Sequence, residues 1–310
     1  MNDDRDERSR IGGLRHRMEV GFAGLVFSFA IGSTLLLSWS IHRPRPEQPG
    51  GVVTAADRDG DGIDDGLERT LLERHAPIAV LSDEETAWPS SVAWVRDRVP
   101  LRSSGPTFRG TVIAAAAFAG EVRQGSERTD DWTVYGHAYR RRDGGIELQY
   151  WFYYPFNDGH LFFDHESDWE HVSVELDATG RPSAFAAAAH HDNAPGPRTA
   201  WADVSREGER PLFFVATGTH AAYARRDDAP FWERMPAEGR ERRWRVGANG
   251  SRLVNVGERG RPLGGRTEEA FFVDYPGLWG AAVPVFGSSA PMGPPFQRAF
   301  CVDSRADSCR

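Results

Sequence analysis

The chain has 310 residues, 40% of them hydrophobic and 26% charged, with a formal net charge of −8. That length accommodates a full core in one large domain or two ordinary ones, and the composition excludes a disordered or fibrous chain. All 37 basic residues are arginines, but the acidic balance, with Glu233, Glu238 and Glu241 around the basic stretch 240–245, argues for a solvated face and against nucleic acid as a partner.

In chain order, residues 1–19 read as a cytoplasmic leader containing Arg5, Arg8, Arg10, Arg15 and Arg17. Residues 20–41 then run 22 positions without a charge. As a helix this span reaches about 33 Å, enough to cross a bilayer. The arginine bias places the leader inside and everything after Ile41 outside. A cleaved signal peptide is the alternative, and either way the body is extracytoplasmic. The expectation is a membrane-anchored protein, with the Pro- and Gly-rich segment 42–56 as its linker.

Residues 57–68, DRDGDGIDDGLE, carry a calcium-loop spacing. Asp57, Asp59, Asp61, the backbone of Ile63, Asp65 and Glu68 fall at positions 1, 3, 5, 7, 9 and 12, with Gly62 at the sharp turn. Five carboxylates and one carbonyl supply the oxygens that Ca2+ requires. No helix is expected before the loop, whereas residues 65–75 read as an exiting helix. The segment is similar to the single calcium loops of thrombospondin type 3 and dockerin-like repeats.

Residues 76–310 read as one mainly β domain, an antiparallel β-sandwich with long loops and few helices. The expected strands are 111–120, 132–140, 146–156, 168–176, 182–191 and 211–223, punctuated by turn residues. Beyond 224, long loops and short strands are expected. The two cysteines, Cys301 and Cys309, are expected to close a local disulfide in an oxidising compartment.

The chemistry gathers at strand ends. The strand over 146–156 leads through Asn157, Asp158 and His160 to Asp164, His165, Asp168 and Glu170. In an extended segment Asp168 and Glu170 share a face with Val172, Val174 and Leu176. A desolvated carboxylate pair needs a proton, an arginine or a metal ion. The metal reading gathers one histidine and two or three carboxylates of this group around a second divalent cation, Ca2+, Mg2+, Mn2+ or Zn2+. His190, His191 and His220 end other strands and are candidate catalytic bases. His75 and His137 read as hydrogen-bonded core residues, and Trp169 as core.

The stretches 74–92, YWFYYPFNDG, HESDWEHVSVEL, HHD and RPLFFVATGTHAAY, with 275–280 and 288–295, resemble the vacuolar-protein-sorting sixty-two-like family in the same order. Ser167, Thr219 and Ala189 depart from that family's wording. More distantly, the Asp168-Trp169-Glu170 segment resembles the necrosis-inducing, ethylene-inducing-peptide-like toxins. That resemblance implies a β-sandwich with Asp168, Glu170 and His165 as cation ligands, Asp158 as the nearest upstream acid, and sugar head-group binding. Three functions follow: a cation-dependent module for glycan or lipid head groups, a metal-dependent hydrolase, or a structural envelope protein. No G-x-S-x-G or H-E-x-x-H motif is present to favour the enzyme.

Overall fold

The computed structural model describes residues 54–99, 101–103, 111–113, 121–159, 163–189, 196–263, 275–281 and 290–301. The leader, the expected anchor at 20–41, His160, His190, His191 and Cys309 lie outside the described residues. Among those described, no helix is long and apolar enough to cross a membrane.

Long runs of aromatic and β-branched residues set the centre of the molecule. Strands β5 (Ile146–Asn157) and β6 (His165–Leu176) pair antiparallel from Ile146↔Leu176 to Asn157↔His165. They sit inside a six-stranded sheet, with β13 (Arg252–Asn255) and β4 (Thr133–Arg140) on one side. On the other side lie β7 (Pro182–Ala187) and β8 (Arg198–Ala200). A second sheet has the order β11 (Ala222–Tyr223), β10 (Arg210–Val215), β1 (Ile78–Ser82), β12 (Glu241–Arg245), with β9 (Arg206–Glu207) beside β10.

The purely antiparallel expectation is corrected at two pairs. β1 runs parallel to β10, Ile78 opposite Leu212, and β13 runs parallel to β4, Arg252 opposite Thr133. β1 is buried along its whole length, so its continuous apolar run suits a sheet centre rather than a half-solvated strand. A parallel partner requires a long connection, and the intervening chain builds most of the other sheet. The expected single strand over 211–223 is also corrected. The chain reverses between β10 and β11, with Ala216 and Ala221 paired (3.0 Å) and Gly218 and His220 at positive φ. The expected strand over 111–120 is described only as β3 (Thr111–Ile113), which pairs with β2 (Leu101–Ser103).

One core lies between the sheets. Leu148, Tyr150 and Phe152 of β5 and Val172, Val174 and Leu176 of β6 meet Phe213, Val215 and Trp244. The Phe152 ring lies 5.1 Å from Phe213 and 5.9 Å from Trp244. The opposite face of β5 and β6 is covered as well. Trp151, Tyr153 and Trp169 pack with Tyr275, Trp279 and Phe300. The polar residues of that face are therefore buried, and Glu175 is bonded by Arg141 and Arg198.

Helix α1 (Asp65–Arg74) exits the acidic loop as expected, capped by Asp64, whose side chain accepts from Gly66 N and Leu67 N. Its Leu72 fits against Gly136 of β4, where a Cβ would lie 3.0 Å from the Leu72 methyl. With Ile63, Leu71 and Leu72 in the core, loop and helix are part of the folded body.

Candidate functional site

Two acidic sites emerge, one local in sequence and one assembled from distant strands. In the local site, Asp57 accepts hydrogen bonds from Gly60 N (2.7 Å) and Gly62 N (3.0 Å). Asp61 accepts from Ile63 N (2.7 Å). Gly62 has φ 90°, the left-handed backbone for which the sixth position needs glycine. These bonds fold the carboxylates inward. Ligand atoms of Asp57, Asp59 and Asp61 lie within 4.8 Å of one another, and so do those of Asp59, Asp65 and Glu68.

Arg58 pairs with Asp65 at the edge of the cluster, but burial and like charge dominate at its inner carboxyls. Burial, and then Glu258, push the Asp59 carboxyl up to about 7. Burial and Asp59 push Asp61 up to about 8, while burial and Asp61 push Glu68 up to about 10. Among the described residues, Asp61 Oδ2 and Glu68 Oε1 are buried without a hydrogen-bond partner. A cluster of acidic residues that could hold a divalent cation is therefore present, and an all-oxygen donor set fits Ca2+. Position 9 is partly committed elsewhere, because Asp65 also accepts from Arg58 N (2.9 Å) and its guanidinium.

At the second site the predicted alternation holds. Asp168 and Glu170 lie opposite Tyr154 and Phe152, are buried, and continue the row of Val172 and Val174 towards the inter-sheet core. The partner the structure gives Asp168 is a histidine rather than an arginine. His220 Nδ1 lies 3.1 Å from Asp168 Oδ2, and its ring stacks on Tyr154 at 3.8 Å and 3°. His220 sits at φ 58°, an uncommon backbone for a residue other than glycine. Its Nε2 is buried with no hydrogen-bond partner among the described residues.

The turn carrying His220 is stitched to its surroundings. Gly218 N donates to Glu85 Oε2 (3.0 Å), Asp158 N donates to Gly218 O (2.9 Å), and Thr219 donates to Glu233 (2.6 Å). Sequence reading gave Glu85, within the stretch 74–92, no role, and it took Glu233 for an acid of a solvated face, whereas both are buried and meet this turn.

The expected four-ligand set is not assembled as such. Among the described residues, the clusters of three or more candidate ligands both belong to the loop, and Asp158, His165, Asp168 and Glu170 do not form one. His165 turns back, with Nδ1 2.7 Å from the Ser167 carbonyl. Ser167 adopts φ 57°, a left-handed backbone uncommon for a residue other than glycine. Its hydroxyl engages Tyr153 (2.8 Å) and the Trp279 carbonyl. His137 and His75 are hydrogen-bonded core residues, to Gln149 and Glu258 and to the Glu209 carbonyl respectively. Trp169 is core.

Beyond the His220 turn lies a hollow of about 300 Å³, lined by Tyr223, Asp228, Pro230 and Trp232 among others. Trp232 is 64% exposed and its neighbour Phe231 95% exposed, their rings edge to face at 5.0 Å.

No family model matches the chain, so the resemblance to the vacuolar-protein-sorting sixty-two-like family gains no support there, and no curated protein matches it. Solved structures similar to the chain include NLPPya in complex with glucosamine, at 18% identity, TM-score 0.34, covering 58% of this chain and 70% of that one. Necrosis and Ethylene inducing Protein 2 from the causal agent of cocoa's Witches Broom disease is 17% identical, TM-score 0.32, covering 56% and 74%. The non-toxic HaNLP3 protein is 15% identical, TM-score 0.34, covering 58% and 72%.

Proposed function

We propose that this protein is a cation-dependent binding module for a hydroxyl-rich head group, of a glycan or a glycolipid, at the cell envelope. The observation that carries this reading is the solvent-exposed Phe231–Trp232 pair, of which Trp232 lines a hollow shared with Ala222 and Tyr223, which follow His220, the partner of Asp168, in the chain. Two exposed aromatic rings side by side lose hydrophobic stabilisation unless something covers them. Sugar rings stack on aromatic faces, and such residues also favour a membrane interface. Asp168 and Glu170 supply hard oxygen donors for a second divalent cation, Ca2+, Mg2+, Mn2+ or Zn2+, to which sugar hydroxyls would add. In this reading residues 20–41 anchor the chain with its body outside, where a Cys301–Cys309 disulfide is compatible with the compartment.

A hydrolase is the second reading. His220 held through Nδ1 by Asp168 is the arrangement of an oriented general base. Its Nε2 is buried, however, so a reacting group would not reach it without movement of the turn. Burial favours binding over catalysis.

The test is sedimentation of the full chain with phosphatidylcholine vesicles, with or without glycosylated lipid, in calcium, magnesium, manganese, zinc or chelator. Cation-dependent binding that requires the glycosylated lipid and is lost in Phe231→Ser/Trp232→Ser supports the module. Equal sedimentation with every vesicle and in chelator overturns it. Competition by free oligosaccharide distinguishes a glycan from a lipid head group.

A further inference from the structure

The acidic loop of residues 57–68 rests on a segment far along the chain. Asn255, at the end of β13, donates from Nδ2 to Glu68 Oε2 (2.9 Å) across 187 positions of sequence. Directly after it comes a hairpin of β14 (Gly257–Glu258) and β15 (Arg261–Pro262). Arg261 Nη1 donates to the Asp59 carbonyl (3.1 Å), and Arg58 Nη2 donates to the Leu263 carbonyl (3.3 Å). Gly257 has φ 69°, and a Cβ there would lie 3.0 Å from Asp59 Oδ2, so the bare backbone closes on this carboxylate. Leu253 shares the Gly136 contact of α1: a Cβ on Gly136 would lie 3.0 Å from Leu72 and 3.3 Å from Leu253. The strip 252–263 is therefore a common wall for the loop and its exiting helix.

Glu68 is the residue on which this contact turns. It is 0% exposed, and a carboxylate taken out of water is costly unless its oxygens find partners. Asn255 supplies one at Oε2, whereas Oε1 has none among the described residues, nor has Oδ2 of Asp61, which is 6% exposed. Glu68 stands at the twelfth loop position, where a calcium loop places a carboxylate that binds through both oxygens. Its ligand atom lies within 4.8 Å of those of Asp59 and Asp65. Asn255 is itself oriented, because its Oδ1 accepts from Gly257 N (3.3 Å) while Nδ2 serves Glu68. A ligand steadied from behind by a hydrogen bond is the usual arrangement at a metal site.

We propose that Ca2+ in this loop is a latch that joins residues 57–74 to the strip 252–263, with Asn255 as the positioning residue that holds Glu68 for the ion. Because β13 orients the ligand, ordering the loop around calcium and ordering the strip are one event. The latch does not rest on head-group binding, since Asp168, His220, Phe231 and Trp232 take no part in it.

The test uses the full chain and calcium alone, with affinity read by calorimetry and amide hydrogen exchange by mass spectrometry. The unmutated chain is expected to bind Ca2+, and calcium should slow exchange about tenfold or more both within 57–68 and within 252–263. Glu68→Gln, which removes a ligand charge, should lose the binding and both effects. Asn255→Ala should weaken calcium about tenfold and confine the slowing to 57–68. Asn255→Ser, which keeps a short donor, should recover part of the affinity, and Glu238→Gln, at an exposed position, should change nothing. Slowing confined to 57–68 in the unmutated chain overturns the latch, and that measurement requires no variant to fold. Unchanged affinity in Asn255→Ala, whatever its Tm, overturns the role of Asn255. Absence of calcium binding in the unmutated chain overturns the site itself.

Discussion

The two acidic sites solve the same electrostatic problem in opposite ways. In the 57–68 loop the carboxylates are held by backbone amides of their own segment, and two buried oxygens are left without a partner. At the end of β6, Asp168 meets a histidine from a turn 52 residues away, and the unpartnered atom is that histidine's Nε2. In the loop Arg58 meets only Asp65 and leaves Asp61 Oδ2 and Glu68 Oε1 unpartnered, while at the strand end Asp168 has a polar partner already in place. Cation binding should therefore stabilise the loop strongly, whereas at the strand end it should act mainly on recognition.

Calcium gives the largest expected effect. At a calcium concentration about a hundred times its Kd, linkage adds about 2.7 kcal/mol to stability, readable as a rise in Tm against chelator. The pH dependence sharpens this. In the ion-free fold the carboxyls of Asp59, Asp61 and Glu68 are raised to about 7, 8 and 10, from about 4 in the unfolded chain. Protonation therefore favours the ion-free fold fully below about pH 4, and that contribution is lost as pH rises through the raised values. Denaturant titrations in chelator should show stability falling between pH 5 and 8 from these groups, with calcium abolishing the fall. A chelated protein equally stable at both pH values would break the contrast between the sites.

Core packing comes next. Val174 is fully buried on the same row as Asp168, and Val174→Ala should cost about 1–3 kcal/mol. The calcium affinity of the loop should stay as it was. A calcium Kd that moves with Val174→Ala would show the loop coupled to the inter-sheet core.

At the strand end, Asp168→Asn should reduce cation-dependent vesicle binding about tenfold, which is about 1.4 kcal/mol. Protease protection of the loop by calcium should persist, as should a normal Tm response to calcium. If loop protection disappears in this variant, the two sites are not separate.

The smallest effect on stability is expected at the exposed Phe231–Trp232 pair. Phe231→Ser should alter unfolding by less than about 0.5 kcal/mol, the usual scale for exposed positions. It should still lower vesicle binding. Unchanged binding in both Phe231→Ser and Trp232→Ser would remove the pair from the recognition surface.

The sequence by itself determined what depends on near neighbours along the chain. Loop spacing from Asp57 to Glu68, the exiting helix and the turn at Gly62 follow from fixed backbone geometry over a few residues. Alternation along β6 put Asp168, Glu170, Val172 and Val174 on one face because side chains two apart in a strand always share one. Only the tertiary structure decided which groups meet those faces. Sheet order placed β1 parallel to β10 and left β10 to reverse into the turn that presents His220. Packing brought Gly257 against Asp59 and Asn255 to Glu68, and buried the polar face of β6 beneath Trp279 and Phe300. Such contacts join residues far apart in the chain, so they depend on strand order and register across the whole fold, which no local pattern encodes.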